Sequence, residues 1–104
     1  MKKKMLQFVD LNQETPVKRS TVKRKKDFNE IYNEFVTEKA KEQSSRCSQC
    51  GVPFCQIHCP LSNNIPDWLK LTAEGRYEEA YHLSQSTNNM PEVCGRICPQ
   101  DRLC

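Results

Sequence analysis

Hydrophobic residues recur every three or four positions in the middle of the chain, which is the period of a one-sided helix. The repeat consists of Phe28, Ile31, Tyr32, Phe35, Val36 and Ala40. Asp27, followed three residues later by Glu30, resembles a capping box, in which both side chains accept from unpaired amides of a first helical turn. The pattern therefore predicts a helix over about residues 27–43 whose apolar stripe packs in the core.

A second helix is predicted to begin near Ile65, because Pro66 suits the first helical position, where its missing N–H is harmless. Asn63 or Asn64 can cap this helix, and Gly75 is predicted to stop it.

A third helix is predicted over about residues 77–85, with Tyr77, Ala80, Tyr81 and Ser84 on one face. We interpret Trp68, Tyr77 and Tyr81 as core residues. Alternation of β-branched residues, which would indicate strands, is absent. The predicted fold class is therefore all-α, with short helices and cysteine-bearing loops.

Charge and cysteine content divide the chain near residue 46. Residues 1–46 hold 12 Lys and Arg against 7 Asp and Glu and no cysteine, whereas residues 47–104 hold 4 against 6 and all seven cysteines. Residues 1–26 are polar, lack a sustained period and include the basic run 18–26, so they are predicted to form an extended arm. Residues 27–104 are predicted to form one α-helical domain.

The N-terminal apolar stretch is too short and polar for a secretory signal, and no segment is long enough for a membrane helix. We therefore expect a protein of the cytoplasm that does not bind membranes. In a reducing compartment, cysteines are more often metal ligands than disulfide partners.

The cysteines form two runs, C-x2-C-x4-C-x3-C-P and C-x3-C-P-x5-C. They are Cys47, Cys50, Cys55 and Cys59 in the first run, and Cys94, Cys98 and Cys104 in the second. Zinc sites usually separate two ligand pairs by a dozen or more residues, whereas the compact first run is close to a bacterial ferredoxin pattern. Spacing favours iron–sulfur clusters, while zinc and disulfides stay open. Two [4Fe–4S] clusters need about eight ligands, so the seven cysteines suggest a chain that stops before its ligand set is complete.

The stretches RCSQCGVPFCQIHCPLSNNIPDWLKL and STNNMPEVCGRICPQDRLC resemble the N-terminal iron–sulfur domain of the small (beta) subunit of NADPH-dependent glutamate synthases. Dihydropyrimidine dehydrogenase has a similar module. The resemblance covers about residues 24–104 and implies two [4Fe–4S] clusters.

The resemblance also implies which cysteines bind which cluster. Cys47, Cys50 and Cys55 match three ligands of the first cluster, and Cys59, Cys98 and Cys104 match three ligands of the second. In the family, the remaining ligands come from later residues or a non-cysteine side chain. Cys94 matches a position that is not a ligand in related proteins. Two interpretations stay open for it, a ligand and a packed thiol.

The resemblance implies an electron-transfer role within a larger oxidoreductase. In the family, NADPH reduces FAD in downstream domains, and a large partner subunit converts glutamine and 2-oxoglutarate to glutamate. Only three glycines are present and no glycine-rich dinucleotide turn, so we expect no catalytic residue in this segment. We expect no nucleic-acid partner, because no recognition helix or aromatic platform accompanies the basic run. A zinc-stabilised interaction module and a nucleic-acid-binding module stay open as alternatives.

Side chains beside the cysteines supply two further expectations. Arg46, Arg96 and Arg102 either favour the reduced, more negative cluster or are ordinary solvated or helix-capping charges. His58 lies inside the first run, where we expect an exposed side chain and not a ligand.

Overall fold

The computed structural model describes residues 5–103, in which the regular structure is entirely helical. One 3-10 turn and seven short α-helices follow each other along this part of the chain. They are the turn Gln7–Val9, α1 (Thr21–Arg24), α2 (Thr37–Ser44), α3 (Phe54–Ile57), α4 (Ile65–Ala73), α5 (Tyr77–Ser84), α6 (Pro91–Ile97) and α7 (Gln100–Leu103). The predicted all-α class is confirmed.

Helix α4 lies at the centre of the molecule and packs against α5, α2 and α3. The residues buried at these helices are small: Ser44 in α2, Pro66 and Ala73 in α4, and Ala80 in α5. Small side chains let helix backbones approach closely, but each buries little apolar area. The radius of gyration is 14.9 Å, compared with about 13 Å for a compact domain of 100 residues. Close contacts between helices therefore stabilise this molecule, although its hydrophobic core is small.

The predicted start and stop of α4 are both confirmed. Pro66 occupies the first turn, and Gly75 follows the helix with a φ of 79°. The amide of Gly75 donates to the Thr72 carbonyl (3.0 Å), and the amide of Arg76 donates to the Leu71 carbonyl (2.9 Å). This pair of bonds is a Schellman motif, which satisfies carbonyls that the helix leaves unpaired.

Asn64 occupies the N-cap position of α4, but its side chain makes no capping hydrogen bond. Its Oδ1 accepts from Gln56 Nε2 at 3.1 Å, and its Nδ2 donates to Ser86 Oγ at 3.4 Å. The side-chain amide therefore connects α3 to the turn that follows α5. Pro66 lies two residues after Asn64 and has no N–H for the Asn64 side chain to accept from. The side chain makes tertiary contacts instead.

Helix α5 matches its prediction closely, since it spans Tyr77–Ser84 and is followed by Gln85 as C-cap. Ala80 is buried against α4. The neighbouring tyrosines were predicted to be core residues, but Tyr77 and Tyr81 are both exposed. Both side chains line a cavity beside α4 and α5 instead of packing in the core.

The predicted helix over residues 27–43 is wrong in its first half. The helix begins only at Thr37, and residues 27–36 form no helix. The apolar stripe is not core either, because Phe28 is fully exposed and Ile31 and Val36 are also exposed. Tyr32 is half-buried and forms an isolated antiparallel bridge with Lys18.

Arg19 explains why residues 27–33 turn back as a hairpin on residues 17–19. Its guanidinium donates to both carboxylate oxygens of Asp27, at 2.7 and 3.1 Å, and its Nε donates to the Glu30 carbonyl at 2.6 Å. The hydrogen bond from Arg19, together with the Asn29 amide, lowers the pKa of Asp27 to about 2. Asp27 therefore caps a turn and not a helix, an alternative that short acidic side chains offer the backbone.

The first residues of the described chain lie along the end of α2. The amides of Leu6 and Gln7 donate to the carbonyls of Cys47 and Ser45, each at 2.9 Å. Arg46 Nε donates to the Leu11 carbonyl at 2.9 Å. The 17–33 hairpin runs across the predicted boundary at residue 26, and the division into an arm and a domain stays a prediction.

Gly75→Ala is expected to lower the free energy of unfolding by about 1–2 kcal/mol, because a left-handed backbone strains any residue with a Cβ. The added Cβ would also lie only 3.2 Å from Lys41 Cε. Thermal denaturation of the full-length protein measures this loss.

Gly51→Ala is the matched control, since a Cβ there has no neighbour within 4 Å and Gly51 has no positive φ. Equal stability changes in the two variants would contradict the role given to Gly75.

Candidate metal centre

A cavity of about 750 Å³ lies between α4, α5 and α6 and brings the two cysteine runs together. Its lining is mostly apolar and includes Trp68 from α4 together with Tyr77 and Tyr81 from α5. Four thiol-bearing residues line the same space: Cys55, Cys59, Cys94 and Cys98. Cysteines separated by up to 43 positions in the sequence thus line the same cavity.

Each C-x3-C-P run forms a helical turn followed by a proline. Cys55 lies within α3, and Cys59 follows that helix; Cys94 lies within α6, and Cys98 is its C-cap. Both members of each pair line the cavity. Two of the cysteines therefore lie in helices that the sequence did not predict, and the others lie in loops or caps.

Proline follows the last cavity cysteine of each run, and in the second run it marks the end of α6. Cys98 precedes Pro99 and has extended backbone angles (φ −60°, ψ 121°), as expected because proline disfavours the helical region for the residue before it. The amide of Cys98 still donates to the Cys94 carbonyl at 3.0 Å. The chain thus leaves α6 sharply while Cys98 stays at the cavity wall.

Cys47 and Cys50 are not among the residues that line this cavity. Cys47 is half-buried beyond the end of α2, and Cys50 is exposed. The Cys47 carbonyl is held by the Leu6 amide, and its sulfur accepts a hydrogen bond from Gln49 Nε2 at 3.3 Å. Cys50 lies on the outer surface of the same loop.

Cys104 lies outside the described residues. Within residues 5–103, no three His, Cys, Asp or Glu side chains are grouped closely enough to hold a metal ion. The ligand assignment from the sequence therefore stays a prediction; of its six cysteines, Cys55, Cys59 and Cys98 line the cavity.

His58 is exposed, as expected from the sequence, and its ring stacks on Phe54 with centroids 5.9 Å apart. Two of the arginines that flank cysteines make tertiary contacts. Arg46 binds the Leu11 carbonyl, as described, and Arg96 in α6 forms an ion pair with Glu30. Arg102 is exposed in α7.

The Arg96–Glu30 pair joins the hairpin to the helix that carries Cys94. Hydrogen bonds from the Tyr32 amide and from Arg96 lower the pKa of Glu30. The Arg96 guanidinium also lies 5.8 Å from the centroid of the Tyr32 ring, within the range of a cation–π contact. The hairpin therefore supports α6 from outside the cavity.

Two features of the site were missed at the sequence level. Pro91 stands at the first turn of α6, as Pro66 does in α4, and this signal would have predicted the helix that carries Cys94. Gln49 was also missed, and no local pattern indicates its contact with the Cys47 sulfur.

Residues 24–104 match the family model described as dihydropyrimidine dehydrogenase domain II, 4Fe-4S cluster. The chain belongs to this 4Fe–4S domain family. Three small chains of glutamate synthase [NADPH] are similar to it. That of Azospirillum brasilense is 68% identical over 97% of this chain, that of Escherichia coli K12 is 52% identical over all of it, and that of Bacillus subtilis is 41% identical over 88%. The chain spans 20 to 22% of the length of these relatives.

The residues at the cavity fit a 4Fe–4S cluster. Thiolates are the ligands that such clusters use, and the apolar walls provide the low-dielectric shell that influences cluster potential. Cys55, Cys59, Cys94 and Cys98 place thiols at the cavity, and Trp68 with the two tyrosines forms part of its wall.

Among residues 5–103, no helix is sufficiently long and apolar to cross a bilayer.

Tyr81→Ala is expected to increase the rate at which the cluster-loaded protein loses iron to a chelator by several-fold. Tyr81 lines the cavity, and removal of its ring opens the wall to water. Loss of iron can be followed by the decay of visible absorption under anaerobic conditions.

Glu78→Ala on the same helix is the control, because the Glu78 side chain is 90% exposed and does not line the cavity. Equal rates of iron loss in both variants would show that the tyrosine does not shield the centre.

Proposed function

We propose that this chain is an electron-transfer domain that carries up to two [4Fe–4S] clusters in the small subunit of an NADPH-dependent glutamate synthase. The observation that carries the proposal is the convergence of Cys55, Cys59, Cys94 and Cys98 on one cavity, in a chain of a 4Fe–4S family. The high identity to glutamate synthase small chains supports the choice of enzyme.

We assign Cys59, Cys98 and Cys104 to one cluster and Cys47, Cys50 and Cys55 to the other. Support for the first set comes from Cys59 and Cys98, which line the same cavity although they belong to different runs. For the second set, the short C-x2-C turn carries Cys47 and Cys50 close in sequence to Cys55. When bound, the clusters supply one-electron redox chemistry, and the thiolates of this chain hold them in place.

We assign Cys94 as a packed thiol. It lines the cavity within α6, one turn before Cys98. Its position places a small hydrophobic side chain at the cavity wall, a role that free cysteine often has in protein interiors.

The cavity walls are mostly apolar, and backbone hydrogen bonds hold two of the proposed ligands. Cys59 is anchored through its carbonyl, which accepts from the Ser62 amide at 2.9 Å, and the Cys98 carbonyl accepts from the Gln100 amide at 2.9 Å. A low-dielectric surrounding increases the influence of nearby charges and dipoles on cluster potential. The proposed role of this chain is therefore electron transfer, and we assign no catalytic residue to it.

In the complete enzyme, we propose that NADPH gives two electrons to FAD in downstream domains of the same subunit. The electrons then pass through the clusters to a large partner subunit. There, glutamine, 2-oxoglutarate, NADPH and a proton yield two glutamates and NADP⁺. We place the protein in the cytoplasm, where free thiols persist. The zinc-stabilised and nucleic-acid-binding alternatives are not favoured by the family match.

Anaerobic purification of the full-length protein tests the proposal. The wild-type protein is expected to be brown, to bleach on reduction and to contain about eight iron atoms and as many sulfides per chain in these two centres. Cys98→Ser is expected to lose about half of this iron, because one of the two clusters loses a ligand.

Cys94→Ser is the matched control, because it changes the same atom in the same cavity one helical turn away. It is expected to retain its iron. A colourless protein with stoichiometric zinc would contradict the proposed function, and equal iron loss in both variants would contradict the assignment of Cys94.

A further inference from the structure

We propose that Gln49 is a positioning residue that holds the Cys47 thiolate and raises the reduction potential of the cluster bound by Cys47. This inference rests on the proposed function, because it takes Cys47 as a cluster ligand. It concerns a side chain that lies between the two cysteines of the C-x2-C turn and is not itself a ligand.

The carboxamide of Gln49 makes two contacts through one nitrogen. Its Nε2 donates to Cys47 Sγ at 3.3 Å and to the Pro66 carbonyl at 2.6 Å. The NH₂ group has two hydrogens, so it can satisfy both acceptors at once. The opposite amide orientation would place an oxygen against two acceptors, and the contacts therefore fix which end faces the sulfur.

The backbone of Gln49 is unusual for this residue type. Its φ is 53°, in the left-handed region that glycine and asparagine adopt most readily. Backbone preference therefore does not favour a glutamine here, whereas its side chain makes two hydrogen bonds. The left-handed turn directs the carboxamide back to Cys47 and across to the first turn of α4.

Cys47 is held from two sides as a result. The Leu6 amide binds its carbonyl at 2.9 Å, and the Gln49 amide binds its sulfur. Pro66 is buried in α4, so the position of the amide is tied to the most firmly packed helix of the domain. The sulfur is consequently placed relative to the protein interior and not only by its own flexible loop.

Hydrogen bonds to cysteine sulfur atoms change cluster potentials. A donor stabilises the more negative reduced state relative to the oxidised state, because the partial positive charge of N–H interacts more strongly with greater negative charge on sulfur. Loss of the Gln49 amide is therefore expected to shift the midpoint potential of this cluster to more negative values.

The test is a redox titration of the anaerobically purified full-length protein, followed by EPR, for the wild type, Gln49→Leu and Gln49→Gly. Leucine keeps most of the side-chain volume but has no donor. Glycine also removes the donor and suits the left-handed backbone, so it provides a variant in which the turn is not strained. Both variants are expected to shift one cluster to a more negative potential and to leave the other unchanged.

Gln56→Leu is the matched control, because the Gln56 amide donates to Asn64 Oδ1 at 3.1 Å in the same cysteine run. It is expected to leave both potentials unchanged. Unshifted potentials in both Gln49 variants, or an equal shift in Gln56→Leu, would overturn the inference while leaving the proposed function intact. Absence of any iron–sulfur signal from the wild-type protein would instead contradict the proposed function and the inference together.

Discussion

A proline directly after a cysteine prevents the chain from continuing as a helix, and this constraint operates twice at the cavity. In each C-x3-C-P run a short helix carries the first cysteine, and the second cysteine follows it directly before the proline. The proline then keeps the residue before it out of the helical region. The pairs Cys55 with Cys59 and Cys94 with Cys98 line one cavity because α4 and α5, which separate the runs in sequence, return the chain to the same side of the molecule. The helices therefore place both cysteine pairs at the wall of one cavity.

The small core is consistent with this arrangement. Ala73 and Ala80 are the buried hydrophobic side chains of the described residues other than Pro66, whereas the larger Trp68, Tyr77 and Tyr81 face the cavity. A domain of this length buries a limited fraction of its surface, and small domains often depend on metals or disulfides for stability. Apolar side chains at the cavity are removed from water when a cofactor packs against them. Cofactor binding is therefore expected to raise the free energy of unfolding.

Local signals predicted the elements whose ends depend on local chemistry. Pro66 and Gly75 delimited α4 because proline and glycine impose backbone angles regardless of distant contacts. The hydrophobic period after Asp27 failed, because Arg19 engages Asp27 and the Glu30 carbonyl and stabilises a turn. Cysteine spacing indicated the class of cofactor, but the shared cavity of Cys59 and Cys98 depends on tertiary packing. The left-handed turn at Gln49 likewise has no signature in the sequence.

The most direct measurement of the central claim is a crystal structure of the anaerobically purified full-length protein that locates iron by anomalous scattering. Our account predicts an iron centre in the cavity that is bound by the sulfur atoms of both Cys59 and Cys98. Iron centres in which these two cysteines bind different clusters, or a cavity filled by protein side chains without iron, would contradict it.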